Sequence, residues 1–270
     1  MKEIGEASSR RIKLERALRK AISKKELLLH YQPIVDLQTG GIMGAEALVR
    51  WNHPEFGLLS PDYFIPLAHE TGIIIDIGKW VLQQACKQAK SWHDAGYNSL
   101  LIAVNISAIE LDQYQLINHI SEVLVETSMP PDLLELEITE SVLMHDPETS
   151  IKTLQGLKEM GIKIAVDDFG TGYSSLSYLK RLPINILKID RSFTRDIDTD
   201  PDSLAIIIAI IALAKSLDLS VLAEGIETKE QFEFLYNAQC DRAQGFLFSK
   251  PVNAMSFMAL LEQRKTGTLA

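Results

Sequence analysis

Asp167 and Asp168 stand side by side after the apolar run Ile162-Lys163-Ile164-Ala165-Val166 and lead straight into Phe169-Gly170-Thr171-Gly172. Side chains along a regular strand alternate faces, so two neighbouring carboxylates converge on one point only where the strand breaks into a loop. Holding two like charges together is costly unless a cation sits between them. A divalent metal, or a pair of metals bridged by one carboxylate, is the simplest such cation. A solvated Asp-Asp-x-Gly turn is the plain alternative.

The other strand ends weigh on that choice. Reading each apolar run to its C-terminal end gives Glu46 with Arg50, then Asn105, then Glu137 with Glu140. Lys188 with Asp190, Glu224 with Glu227, and Gln244 complete the series around Asp167 and Asp168. Charge inside runs otherwise rich in Val, Ile and Leu is expensive unless it is used. Carboxylate and carboxamide donors without histidine or cysteine favour Mg²⁺ or Mn²⁺ over zinc. The six histidines form no ligand spacing. Two such ions sharing a carboxylate suit in-line displacement at phosphorus, with Lys188 and Arg50 as phosphate-directed cations. Asn105 could also be a strand-end cap, and Lys188 a structural partner of Glu137. Glu135 shares its alternation with Glu137 and has no assigned role. Tyr31, Trp51, Tyr173 and Phe246 near strand ends either stack bases or pack.

The elements that must carry these residues alternate short β-branched runs with longer helical patterns. Strands are predicted at Leu27–Val35, Ile42–Val49, Leu101–Ile106, Leu134–Ile138, Ile162–Val166, Ile186–Ile189, Val221–Ala223 and Ala243–Phe248. Helices are predicted at Ile74–Ala95, Ile109–Thr127, Thr149–Met160, Asp202–Leu217, Lys229–Asn237 and Asn253–Gln263. This order predicts an α/β fold, a modified (β/α)₈ TIM barrel, in which functional residues collect at the C-terminal strand ends. Only the short turn Gln38-Thr39-Gly40-Gly41 joins the first two runs, so they form a hairpin and one barrel strand runs antiparallel.

With 270 residues, 46% of them apolar, the chain can bury a sizeable core. Twenty-seven basic against 36 acidic residues give net −9, which argues against a general binder of nucleic-acid polymers or membrane surfaces. Cys86 and Cys240 read as reduced core residues of a cytosolic fold. The longest apolar run, Leu204 to Ala214, is too short to span a bilayer, so no membrane segment is expected in this chain. Residues 1–25 are expected to form a basic N-terminal helix. It either packs on the barrel or continues a linker from a domain upstream.

These residues closely resemble the EAL-domain family of bacterial cyclic di-GMP phosphodiesterases. The resemblance runs from about Leu14 to Val252. It is carried by Tyr31-Gln32-Pro33-Ile34-Val35, Glu46-Ala47-Leu48 with Val49-Arg50-Trp51, Val104-Asn105-Ile106-Ser107 and Glu137-Ile138-Thr139-Glu140. Asp167-Asp168-Phe169-Gly170-Thr171-Gly172-Tyr173-Ser174-Ser175, Leu187-Lys188-Ile189-Asp190, Ala223-Glu224-Gly225-Ile226-Glu227 and Gln244-Gly245-Phe246 complete it.

The resemblance implies hydrolysis of cyclic di-GMP to linear pGpG with two Mg²⁺ or Mn²⁺ ions, in a domain spanning residues 26–265. It implies that Glu46, Asn105, Glu137 and Asp167 hold one metal, and that Asp167 and Asp168 hold the second. Lys188 and Glu224 would position or deprotonate the attacking water. Arg50 would bind a phosphate, Gln32 and Gln244 the ligand, and Glu227 and Asp190 would support the substrate site. Glu140 would anchor the loop Phe169–Ser175, including Gly170, Thr171 and Gly172, and couple metal binding to a homodimer. Upstream sensory or GGDEF domains are typical of relatives, and a cytoplasmic location follows. Ile109-Glu110-Leu111 departs from the family's commoner Arg-Gln-Phe. It is expected to alter packing without removing a ligand. No acidic ligand is missing, which favours an active hydrolase over a receptor that binds without hydrolysis, or an unrelated metal phosphoesterase on the same barrel.

Overall fold

The structure, a computed structural model, describes residues 2–172, 176–197 and 200–265. Its nine strands are β1 (Leu27–Asp36), β2 (Ile42–His53), β3 (Gly57–Leu59), β4 (Leu101–Asn105), β5 (Leu134–Thr139), β6 (Lys163–Phe169), β7 (Ile186–Ile189), β8 (Ser220–Ala223) and β9 (Arg242–Ala243). Eight close into a barrel in the order β1-β9-β8-β7-β6-β5-β4-β2, with β2 returning to β1, while β3 hangs on the outer edge of β2. β1 is antiparallel to both neighbours, and every other ring pairing is parallel. The expected barrel with one reversed strand is therefore present. Its hairpin turn is closed by Asp36, whose Oδ1 accepts from the Thr39 amide at 2.7 Å, and by Gly40 at φ 69°.

Apolar helices cover the outside. The helix Ile74–Asp94 buries Ile77, Val81, Leu82, Ala85 and Trp92 along one stripe, and Leu116–Thr127 packs beside it. Inside the ring, Ile34, Leu101, Ala103, Ala165, Ile186 and Leu222 form a separate apolar cluster. Alternation then fixes what stands two residues further along each strand: Asn105 after Ala103, Asp167 after Ala165, Lys188 after Ile186 and Glu224 after Leu222. Two strands interrupt the apolar level with an ion pair. Arg242 on β9 reaches Glu135 on β5 at 3.0 Å, both buried. Glu135, which the sequence left without a role, thus neutralises a buried guanidinium.

Among the boundaries that differ from the sequence reading, three bear on the site. The helix predicted over Ile109–Thr127 is two, Ala108–Leu111 and Leu116–Thr127. Buried Leu111 and Leu116 are five residues apart, off the three-or-four spacing of one helical face, and Asp112 to Gln115 are exposed. The last strand ends at Ala243 rather than Phe248. A Cβ on Gly245 would lie 2.1 Å from the Ile226 carbonyl oxygen, and the chain turns there through Phe248 N–H to Gly245 C=O. β6 continues past Val166 to Phe169, so Asp167 and Asp168 lie within the strand.

Candidate active site

That last difference explains how neighbouring carboxylates come together. The β6–β7 register shifts between Val166 and Phe169, and Asp168 has φ 54°. The left-handed region costs an L-residue about 1–2 kcal/mol, and Asp is among the few that visit it. This bulge breaks the alternation and brings both carboxylates to the mouth. Asp167 Oδ1 accepts from the Asp168 amide at 3.0 Å.

Lys188 occupies the centre. Its side chain is 1% exposed, and Nζ lies 2.8 Å from Glu137 Oε2, 3.0 Å from Asp167 Oδ1 and 2.7 Å from Glu224 Oε1. Burial disfavours its charge, but Glu137, Glu224, Asp167 and Glu46 together hold the ammonium well above its ordinary value. One cation does not satisfy this many acids. Burial, then Glu46, pushes Glu137 well up. Burial, with Asp167 and Glu46 adding against Lys188, pushes Glu224 up to about 7. Burial, then Asp167 and Asp190, pushes Asp168 up to about 6. Asp190 stays below the usual range despite burial, because the Ser192 amide and hydroxyl donate to it and Arg191 is adjacent.

The opposite wall is a carboxamide and carboxylate ladder. Asn105 Nδ2 donates to Glu46 Oε1 at 2.7 Å, and Gln244 Nε2 donates to Glu46 Oε2 at 2.5 Å and to Gln32 Oε1 at 3.0 Å. Asp167, Asp168 and Glu224 offer oxygens all within 4.8 Å of one another. Glu137 Oε1 is buried without a hydrogen-bond partner. An all-oxygen donor set, an orphaned carboxylate oxygen and acids that retain protons fit a hard divalent cation. Glu224, expected near the water, sits in this triplet. Glu46 and Asn105 bond to each other, and Glu137 to Lys188.

A cavity of about 730 Å³ opens over these groups. Gln32, Glu46, Asn105, Asp167 and Asp168 line it, as do Asp190, Glu224, Glu227 and Gln244. Lys188 and Glu137 lie beneath the lining. Arg50 does not line it: its guanidinium donates to the Val49 carbonyl at 2.9 Å, and burial lowers its pKa. Glu140, buried, accepts from the Gly170 amide at 3.1 Å, and Thr171 Oγ1 donates to the Asp168 carbonyl at 2.8 Å. Phe169 is buried and Gly172 exposed. Tyr173, Ser174 and Ser175 lie outside the described residues.

Sequence reasoning missed three contributors. Arg191 lines the cavity beside Asp190. Ser107 and Glu110 form a capping box two residues beyond Asn105. A second box, Thr228 with Gln231, stands behind Glu227. Both boxes carry the S/T-x-x-E/Q signature that would have found them.

A family model described as "EAL domain" matches residues 15–251. The chain is 47% identical over 242 residues to the bifunctional diguanylate cyclase/cyclic di-GMP phosphodiesterase MucR of Pseudomonas aeruginosa, which covers 90% of this chain and 35% of MucR. It is 44% identical over 245 residues to the cyclic di-GMP phosphodiesterase NbdA of the same organism, covering 91% of this chain and 31% of NbdA. The chain thus spans about a third of the length of these curated relatives. A solved PaMucR phosphodiesterase in complex with c-di-GMP superposes with TM-score 0.89 at 46% identity, covering 91% of this chain and 99% of that one. With a matching backbone and a family model spanning most of its length, this chain belongs to the EAL domain family.

Proposed function

We propose that this chain hydrolyses cyclic di-GMP to linear pGpG with the help of two divalent cations, Mg²⁺ or Mn²⁺. One observation carries the reading. Glu46, Glu137, Asp167, Asp168 and Glu224 face a single ammonium, Lys188. Five carboxyl groups around one ammonium are more acid than Lys188 can neutralise, and divalent cations would supply the balancing charge. The similarity to a phosphodiesterase solved with c-di-GMP supports the substrate.

Glu46, Asn105, Glu137 and Asp167 would hold one cation, with Asp167 and Asp168 at the second. When bound, such ions act as Lewis acids toward phosphoryl oxygen and lower the pKa of a coordinated water. The chain's own residues do the rest. Glu224 accepts a proton from the attacking water while Lys188 fixes the orientation of Glu224. A P–O bond to water oxygen forms as the bond to one ribose oxygen breaks, and the freed ribose oxygen takes up a proton. Gln32 and Gln244 offer amide groups to the nucleotide, and Asp190 and Glu227 flank it. Arg50 reaches a phosphate only by leaving the Val49 carbonyl.

The assembly is a homodimer in this reading. The helix Pro201–Ser216 leaves Ile206 at 39% and Ile208 at 53% exposure, and its Ile210 packs near Gly170 of the loop that Glu140 anchors. A dimer through this face would join the loop to a partner copy. Upstream sensory or GGDEF domains would supply the input. Buried free thiols at Cys86 and Cys240 support a cytoplasmic setting, and among the described residues no helix is long and apolar enough to cross a membrane.

Incubation with cyclic di-GMP and Mg²⁺, followed by chromatography, tests the proposal. Appearance of pGpG is expected. Recovery of intact, bound nucleotide would replace hydrolase with receptor.

A further inference from the structure

Behind Glu224 lies a hydrogen-bonded clamp whose two side chains, Thr194 and Gln231, are themselves outside the cavity lining. Thr194 is 0% exposed and Gln231 4% exposed. The Thr194 hydroxyl donates to the Glu224 carbonyl, and the Arg191 carbonyl lies 3.2 Å from Thr194 Oγ1. Both ends of the Gln231 amide are engaged. Its Nε2 donates to the Thr194 carbonyl at 3.1 Å, and its Oε1 accepts from the Glu227 amide at 2.7 Å and the Thr228 amide at 3.0 Å. The Glu224 amide is tied to the Ile189 carbonyl at 3.1 Å. The segment Glu224–Thr228 is therefore held at both ends from the helix that follows β7 and from the helix Lys229–Asn237.

The two loops also approach closely. A Cβ on Gly225 (φ 70°) would sit 2.6 Å from Arg191 Cβ and 3.3 Å from Thr194 Oγ1. Contact this tight leaves the Glu224 backbone little freedom, and the Glu224 carboxylate must meet Lys188 at 2.7 Å on the other side. Outer hydrogen bonds of this kind set the direction of the groups that hold metal and water.

We infer that Thr194 and Gln231 are positioning residues that hold the Glu224 carboxylate in register with Lys188 and with Asp167 and Asp168. This rests on the role given to Glu224 above. The test compares Thr194→Val, which keeps shape and loses the hydroxyl, with Thr194→Ser, which restores it, and with Gln231→Glu, which replaces the amide donor facing the Thr194 carbonyl. Two quantities are read: steady-state kinetics on cyclic di-GMP, and affinity for Mn²⁺ alone from the free-ion paramagnetic resonance signal.

Thr194→Val and Gln231→Glu are each expected to lower kcat about 10- to 100-fold, with Mn²⁺ affinity weakened by about 10-fold. KM should move by less than about threefold, since neither residue meets the nucleotide, and Thr194→Ser should recover to within about threefold of wild type in both readouts. Thr194→Val with kcat and Mn²⁺ affinity within about threefold of wild type overturns the inference, as does Thr194→Ser impaired as badly as valine. Should Thr194→Val fail to fold, Gln231→Glu decides on the same thresholds. A wild-type protein that binds Mn²⁺ without producing pGpG would refute the hydrolase reading instead, and the clamp would still be judged by the metal affinities.

Discussion

Removing the ammonium at the centre of the acidic cluster should cost both stability and turnover, by separable amounts. In Lys188→Met the side chain keeps its length and loses its charge, leaving Glu137, Asp167 and Glu224 without the partner now 2.7–3.0 Å away. Deleting one member of a buried ion pair typically costs roughly 3–5 kcal/mol. Part of this is recovered here, because acids with raised pKa values take up protons in place of the lost charge, so the lower end applies. At about 2.1 cal/mol/K of unfolding entropy per residue, 270 residues convert 3–5 kcal/mol into a melting-temperature drop of about 5–9 °C. The measurement is thermal unfolding at pH 8 in chelator, where protonation relieves least, and again with Mn²⁺. Metal should stabilise the variant more than wild type, since cations then supply the missing charge. Turnover with saturating Mn²⁺ should fall by about 10²–10⁴-fold, because Glu224 loses the ammonium that orients it for proton transfer. A variant melting within about 1 °C of wild type in chelator, with turnover within about threefold, would show that Lys188 neither neutralises the cluster nor serves the reaction.

Three further outcomes follow. Asp167→Asn and Glu46→Ala should each abolish pGpG formation, by about 10³-fold or more, while circular dichroism is unchanged; full activity in either would dismantle the assigned site. Burial and the neighbouring Asp167 push the Asp168 carboxyl up to about 6 from 3.8, so folding binds a proton at this group across that window and its contribution to stability declines as pH climbs through it. In chelator, Asp168→Asn should therefore gain stability relative to wild type between about pH 4 and 6, and a constant difference in denaturant midpoints across that range would contradict the shift. On the proposed dimer face, Ile208→Glu should convert dimer to monomer in sedimentation velocity while changing stability by no more than about 0.5 kcal/mol; a dimer that persists would place the contact elsewhere.

Much of this was legible in the chain because polar residues ending apolar runs have few explanations. Asn105, Asp167 and Glu224 reach the mouth, and Glu137 and Lys188 the level beneath it, for the reason the alternation gives. Asp168 was recognised by its position, but not the strand bulge and left-handed φ that aim it, because the β6–β7 register is set by a partner strand. The Glu135–Arg242 pair was invisible: 107 residues separate the two, and only ring closure brings them together. Arg50 illustrates the reverse limit. Its residue type matched a phosphate ligand, yet rotamer and burial turn it to its own neighbour's carbonyl. Gln231 was hidden differently, since its capping pattern is local but its link to Thr194 spans two loops.

The apolar cluster of Ile34, Leu101, Ala103, Ala165, Ile186 and Leu222 has a kinetic corollary. Together with the buried Arg242–Glu135 pair it packs the inside of the ring beneath the cavity. In the proposed reaction, incoming cyclic nucleotide, departing linear product and the replacement water would share the mouth of the cavity over the acids. Product lingering there would bar the next substrate, so the proposed reaction should show competitive inhibition by its linear product.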